Sequence, residues 1–89
     1  MIRKTITIVN RLGLHARAAS VFVKTANSFE AKIEVSSSQK HADGKSIMAV
    51  MMLEAACGKE LSIAAEGPDE KEALNSLVSL IKKRFGESE

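Results

Sequence analysis

The sequence predicts an α+β domain in which helices cover one side of an antiparallel sheet. Three observations predict it. Stretches that alternate apolar and polar residues, as in Ala31-Lys32-Ile33-Glu34-Val35, read as strands with one wet face. Stretches with apolar residues at helical spacing, as in Leu74, Leu77, Val78 and Ile81, read as helices with one apolar stripe. Turn-forming Gly, Ser, Asn and Asp separate them and give the order β-α-β-β-α-β-α. One apolar face per strand and one stripe per helix are satisfied together when the helices pack on a single side of the sheet.

The elements follow in order. Ile2 to Val9 carries β-branched residues in near alternation, interrupted by Lys4, and predicts a first strand. Asn10-Arg11-Leu12-Gly13 is a turn. From Ala16 to about Asn27, Ala19, Phe22, Val23 and Ala26 mark a helix whose exposed side carries Lys24. Ala31 to Val35 is the second strand, and Ser36-Ser37-Ser38 reads as a turn. Lys40 to Ala42 predicts a short third strand paired back as a hairpin, broken by Asp43-Gly44. Ser46 is a good N-cap for a Met- and Leu-rich helix from Ile47 to Leu53, with Gly58 as the stop. Leu61, Ile63 and Ala65 mark the last strand, and Gly67-Pro68 turns the chain. Asp69 with Glu72 resembles a capping box, and the stripe Leu74, Leu77, Val78, Ile81 and Phe85 predicts a closing helix. Lys82, Lys83 and Arg84 complement its dipole in the last turn, and Gly86 ends it.

Composition narrows the class. A length of 89 residues suits one domain, taken as 1–89. Aromatic content of 3% requires an aliphatic core. Thirteen basic against eleven acidic residues is too even a balance to imply nucleic acid or a membrane surface. The lone Cys57 cannot close an internal disulfide, which fits a reducing cytoplasm. No signal peptide and no run of about 20 apolar residues is visible, so neither export nor a membrane span is expected.

Gly13-Leu14-His15-Ala16-Arg17 carries the chemistry. It places a histidine at a helix start with an arginine two residues on. A helix start offers unpaired N–H groups and the positive end of the dipole, which suits an anion and phosphate above all. A neutral imidazole there can attack phosphorus and then carry the phosphoryl group. The simpler alternative is that His15 caps the helix or fills a loop. Gly44-Lys45-Ser46 is not a phosphate-binding P-loop, because Gln39 stands where that pattern needs its first glycine. His41 and Cys57 lack metal-site spacing, and no metal or cofactor is expected.

Three segments together resemble the histidine-containing phosphocarrier (HPr) family of the bacterial phosphotransferase system. They are Gly13-Leu14-His15-Ala16-Arg17, Gly44-Lys45-Ser46-Ile47-Met48 with the helix that follows, and Ala65-Glu66-Gly67-Pro68-Asp69-Glu70. The resemblance spans nearly the whole chain. It implies an open-faced β-sandwich, with a four-stranded antiparallel sheet and three helices on one face. It implies that His15 accepts a phosphoryl group on Nδ1 from phospho-enzyme I and passes it to IIA domains, with Arg17 as the charge partner of the phosphate. The protein would then be a stoichiometric carrier, monomeric, and not an enzyme. The resemblance also implies a docking face of Ala16, Ser20, Lys24, Ile47, Met48 and Met51 near His15. It makes Ser46 a candidate for regulatory phosphorylation by HPr kinase/phosphorylase. Ala18 departs from the family's His-x-Arg-Pro pattern and relaxes a restraint on φ without removing a chemical group. This leaves a nitrogen-type paralogue as an alternative.

Two other classes fit the residues less well. A regulatory module controlled through Ser46 has no need of His15. A small RNA-binding domain wants exposed aromatics on a strand, whereas Phe22, Phe29 and Phe85 fall at helical positions or helix ends. The resemblance implies one docking face that serves many acceptors, so the sugar or output pathway would be written in the partners.

Overall fold

The structure is a computed structural model and describes residues 1–89. Strands β1 (Ile2–Thr7), β2 (Lys32–Ser37), β3 (Lys40–Asp43) and β4 (Glu60–Glu66) form one antiparallel sheet in the order β1-β4-β2-β3. Helices α1 (Ala16–Asn27), α2 (Ile47–Met51) and α3 (Glu70–Lys82) complete the β-α-β-β-α-β-α order. This is the four-stranded, open-faced α+β sandwich that the sequence and its resemblance predict.

The register explains the layering. Ile33 pairs with Ala65, Val35 with Ile63, and Ile6 with Leu61, so apolar side chains line up across the strands on one face. Against that face pack Ala19, Phe22 and Ala26 from α1, Val50 from α2, and Leu74, Leu77, Val78 and Ile81 from α3. The opposite face carries small and charged residues such as Thr5, Ser62, Ser36 and Glu34. α3 lies over β1 and β4, while α1 packs between α2 and α3. No helix is long and apolar enough to cross a membrane.

Several boundaries differ from the sequence reading, each for a physical reason. β1 ends at Thr7, not Val9; Ile8 still exchanges hydrogen bonds with Gly58 and Lys59 but lies beyond the ladder. Ser36 and Ser37 belong to β2 rather than to the turn, because Ser37 is buried and its hydroxyl donates to the Glu60 carbonyl. The hairpin turn shrinks to Ser38-Gln39, with Ser38 at φ 56°. α2 stops at Met51, short of Leu53, and Glu54 turns the chain in a left-handed conformation. Ser46 caps α2 as expected, accepting from the Ala49 N–H at 3.3 Å.

The start and end of α3 hold the larger corrections. Asp69 is the N-cap residue, yet its side chain makes no capping bond and no capping box forms with Glu72. The carboxylate accepts instead from the backbone N–H groups of Glu30 and Ala31, which lead into β2. Two donors that would otherwise lack partners outweigh one local cap. Glu70 takes the local role, accepting from the Gly67 N–H. At the other end, Phe85 does not continue the helical stripe. Arg84 and Phe85 adopt φ values of 57° and 55° in a single 3-10 turn, Arg84–Gly86. Two left-handed non-glycine residues cost on the order of 1 kcal/mol each. Burial of the Phe85 ring, a gain of about 1.5–3 kcal/mol, offsets that strain.

The Asp69 clasp predicts a pH dependence. The Glu30 N–H, followed by the Ala31 N–H and the charge of Lys45, holds the Asp69 carboxyl below its ordinary range. A carboxyl lowered in the folded state stabilises above its unfolded pKa of about 3.9 and loses that contribution as pH falls through the folded value. The melting temperature should therefore fall below about pH 4. Asp69→Asn should melt lower at neutral pH and show a shallower acid limb, as read by thermal denaturation across pH.

Candidate functional site

The site begins with a turn that only glycine can make. Gly13 holds φ +68°, and a Cβ there would lie 2.6 Å from the Ala55 carbonyl oxygen and 2.8 Å from the Ala56 Cα. The same contact lets the Leu14 N–H donate to the Ala55 carbonyl at 2.9 Å, and Leu14 is buried. The chain is thus pinned one residue before His15.

His15 is the N-cap residue of α1, at φ −73° and ψ 178°. Its carbonyl accepts the first intrahelical bond, from the Ala19 N–H. Its ring does not cap the helix, so the local-cap alternative finds no support in the side-chain contacts. The N–H groups of Ala16, Arg17 and Ala18 have no acceptor in the protein, as at any helix start without a capping side chain. No acidic residue stands in the first turn of α1. Arg17 is exposed and forms no ion pair. His15 and Arg17 open onto one cleft, lined also by Arg11, Leu12, Ala16 and the tail residues Gly86 to Glu89. Within this cleft Arg11 is paired with Glu89 and His15 with Glu87, which leaves the helix start and the Arg17 guanidinium as the groups that suit an anion.

The tail supplies residues that sequence reasoning missed. The His15 Nε2 lies 2.5 Å from Glu87 Oε2, and Asn10 Nδ2 donates to Glu87 Oε1 at 3.0 Å. Asn10 is wholly buried and donates from the same Nδ2 to the Gly13 carbonyl at 2.9 Å. The Asn10 hydrogen bond first, then that of His15, hold the Glu87 carboxyl below its ordinary range, with the charge of Arg17 adding to the effect. Glu87 is therefore ionised at neutral pH, and its contacts weaken only as pH falls below the usual carboxylate range. Glu89 pairs with Arg11 at 3.4 Å on the surface, a contact worth little. No sequence signal announces these partners, because 72 positions separate Glu87 from His15 and 77 separate it from Asn10.

The remaining candidates divide between the two ends of α1. Ala16 and Ser20 are exposed at its start and first turns, and Lys24 is exposed in its last turn. Asn27, at the end of α1, donates to the Lys45 carbonyl just before α2. Ala55, after α2, accepts from Leu14 just before α1. The two helices therefore run antiparallel, and Ser46 sits at the end of α1 remote from His15. The twelve residues of α1 span about 18 Å along its axis. Ile47, Met48, Met51 and Met52 are all exposed, and Val50 alone of α2 is buried. They form an exposed apolar cluster beside α1. His41 lies exposed on β3 and Cys57 exposed in the loop before β4.

Comparison with known proteins places this architecture. The family model described as "PTS HPr component phosphorylation site" matches residues 2–83. The phosphocarrier protein HPr of Pseudomonas aeruginosa is 53% identical over 85 residues, covering 94% of each chain. That of Cupriavidus necator is 44% identical over 89 residues, covering the whole of both chains. Among solved structures, an HPr from Thermoanaerobacter tengcongensis superposes with a TM-score of 0.96 at 45% identity, covering all of both chains. A match across the full length, in sequence and in backbone alike, leaves one assignment: the chain belongs to the HPr family of phosphocarrier proteins of the phosphotransferase system.

Proposed function

We propose that residues 1–89 act as one phosphocarrier domain in which His15 accepts a phosphoryl group on Nδ1 from phospho-enzyme I and delivers it to IIA domains. The observation that carries this reading is the place of His15: a ring at the start of α1, beside three unpaired N–H groups and the free guanidinium of Arg17. The lone pair of Nδ1 forms the new N–P bond while the donor's N–P bond breaks, and the electron pair returns to the donor histidine. Such in-line transfer needs positioning and charge stabilisation more than covalent chemistry from the protein. Arg17 supplies paired donors to the phosphoryl oxygens. Ala16, Ser20, Lys24, Ile47, Met48 and Met51 form the docking face. No cofactor takes part, and the protein turns over no small molecule of its own. A soluble carrier of this kind works as a monomer in the cytoplasm. The HPr dimer of Thermoanaerobacter tengcongensis, 46% identical, is the relative that speaks for testing the monomer.

A second reading has a specific observation behind it. The phosphocarrier protein NPr of Shewanella violacea is 34% identical over 87 residues. Together with Ala18 in place of the family's proline, this supports a nitrogen-type role on the same His15 chemistry. Transfer to sugar-type and nitrogen-type IIA domains, compared side by side, decides between them.

Incubation with enzyme I and labelled phosphoenolpyruvate should give an acid-labile, alkali-stable adduct on His15. His15→Ala should fold and take no label; label on that variant, or on His41, refutes the assignment. Arg17→Ala should slow transfer by on the order of 10- to 100-fold, the worth of one charge-assisted hydrogen bond. Arg17→Lys should fall between it and the parent, and stopped-flow transfer rates that match the parent in both variants remove Arg17 from the site.

Ser46 is proposed as a negative switch acted on by HPr kinase/phosphorylase. Its distance from His15 means that a phosphate there would act on docking and not on the reacting atoms. It would add roughly −1.5 to −2 charges at the edge of the Ile47, Met48 and Met51 patch. Ser46→Asp should keep its melting temperature, since Asp is an equal N-cap. It should accept phosphoryl groups more slowly through weaker binding to enzyme I. Equal rates for Ser46→Asp and Ser46→Ala at low salt would reduce Ser46 to a helix cap.

A further inference from the structure

The Nε2 nitrogen of His15 is already engaged, and by a carboxylate. We infer that Glu87 is a positioning residue for phosphoryl transfer: it holds the His15 proton on Nε2, leaves the Nδ1 lone pair free to attack phosphorus, and faces the positive charge that develops on the ring. The inference rests on the carrier reading of His15 given above.

The geometry carries it. Glu87 Oε2 lies 2.5 Å from Nε2, in hydrogen-bonding contact with it. An ionised carboxylate can only accept, so the Nε2 nitrogen donates. A neutral imidazole has one proton, which leaves Nδ1 with the lone pair. When Nδ1 bonds to phosphorus, the donor's N–P bond breaks and its electron pair leaves with the donor. The proton stays on Nε2 and the His15 ring becomes cationic. The carboxylate is then in place to stabilise that charge, as a buried carboxylate does for the histidine of a hydrolytic triad.

The carboxylate is itself oriented. Asn10 is wholly buried and donates Nδ2 to Glu87 Oε1 and to the Gly13 carbonyl. One side chain thereby ties the turn that delivers His15 to the tail that delivers Glu87. The tail reaches this point because Arg84 and Phe85 reverse it in left-handed backbone, with the Phe85 ring buried as anchor. Arg11 then holds Glu89 through the backbone, its N–H donating to the Glu89 carbonyl at 3.0 Å. Glu87 is mostly shielded, with 16% of its side chain exposed, and His15 keeps 28%. The ring therefore remains open on the side not covered by the tail.

The test uses the full chain with Glu87→Ala and Glu87→Gln. Imidazole 15N shifts, read at about pH 8 where a free histidine ring is neutral, report which nitrogen holds the proton. Rapid-quench transfer from phospho-enzyme I reports the rate. In the parent the proton should sit on Nε2. In Glu87→Ala the Nδ1–H form should gain population relative to the parent, and transfer should slow roughly tenfold. Glu87→Gln keeps an acceptor oxygen without the charge; it should restore the Nε2–H signature while recovering only part of the rate. If either the tautomer signature or the rate of Glu87→Ala matches the parent, the proposal is overturned. A parent chain that takes no label from phospho-enzyme I overturns the carrier reading itself, and this proposal with it.

Discussion

The close approach of Gly13 to the backbone of Ala55 and Ala56 sets where everything else at the site can be. A side chain at position 13 would collide with the Ala55 carbonyl, so the two loops meet backbone to backbone. That meeting gives Leu14 its hydrogen bond and its burial. Two residues on, His15 is the last extended residue and α1 begins at Ala16. The unpaired N–H groups of α1 and the imidazole are therefore neighbours by construction. The cleft owes its character to backbone geometry first and to charged side chains second.

The opposite wall of the cleft is assembled from strain and burial. Arg84 and Phe85 occupy backbone conformations that ordinary residues avoid, and the buried Phe85 ring holds them there. That anchor acts together with the contacts of Asn10 and His15 to Glu87 and of Arg11 to Glu89, which hold the returning tail at the start of α1. Asn10 extends the same logic: its wholly buried amide bonds both to the turn before α1 and to the returning tail. Two segments from opposite ends of the sequence thus share one hydrogen-bond donor. Strain and polar burial at a site, set against packing elsewhere, are common where geometry serves chemistry.

A different economy operates on α2. Five residues of helix bury only Val50 and turn Ile47, Met48 and Met51 outward. Such a helix contributes little to the core. Flexible methionines suit contact with partners of differing shape, because their side chains repack at low cost. Antiparallel packing against α1 puts Ser46 at one end of this surface and the approach to His15 at the other.

Local chemistry made much of this legible in the sequence. Period-two alternation in Ala31 to Val35 and Leu61 to Ala65 wrote out the strands, and the spacing of Leu74, Leu77, Val78 and Ile81 wrote out α3. Ser46 as a cap and His15 at a helix start were equally readable, because caps and helix starts depend on neighbours a few residues away. What tertiary structure alone decided were competitions between local and distant partners. Asp69 left its own helix for two N–H groups 38 and 39 positions away. Phe85 left the stripe of α3 because burial beyond the helix outweighed one more turn. Glu87 met His15 across 72 residues. A sequence records which groups each residue carries and what its near neighbours favour. Which distant group wins a contested hydrogen bond or a buried ring depends on where the fold has already placed both partners.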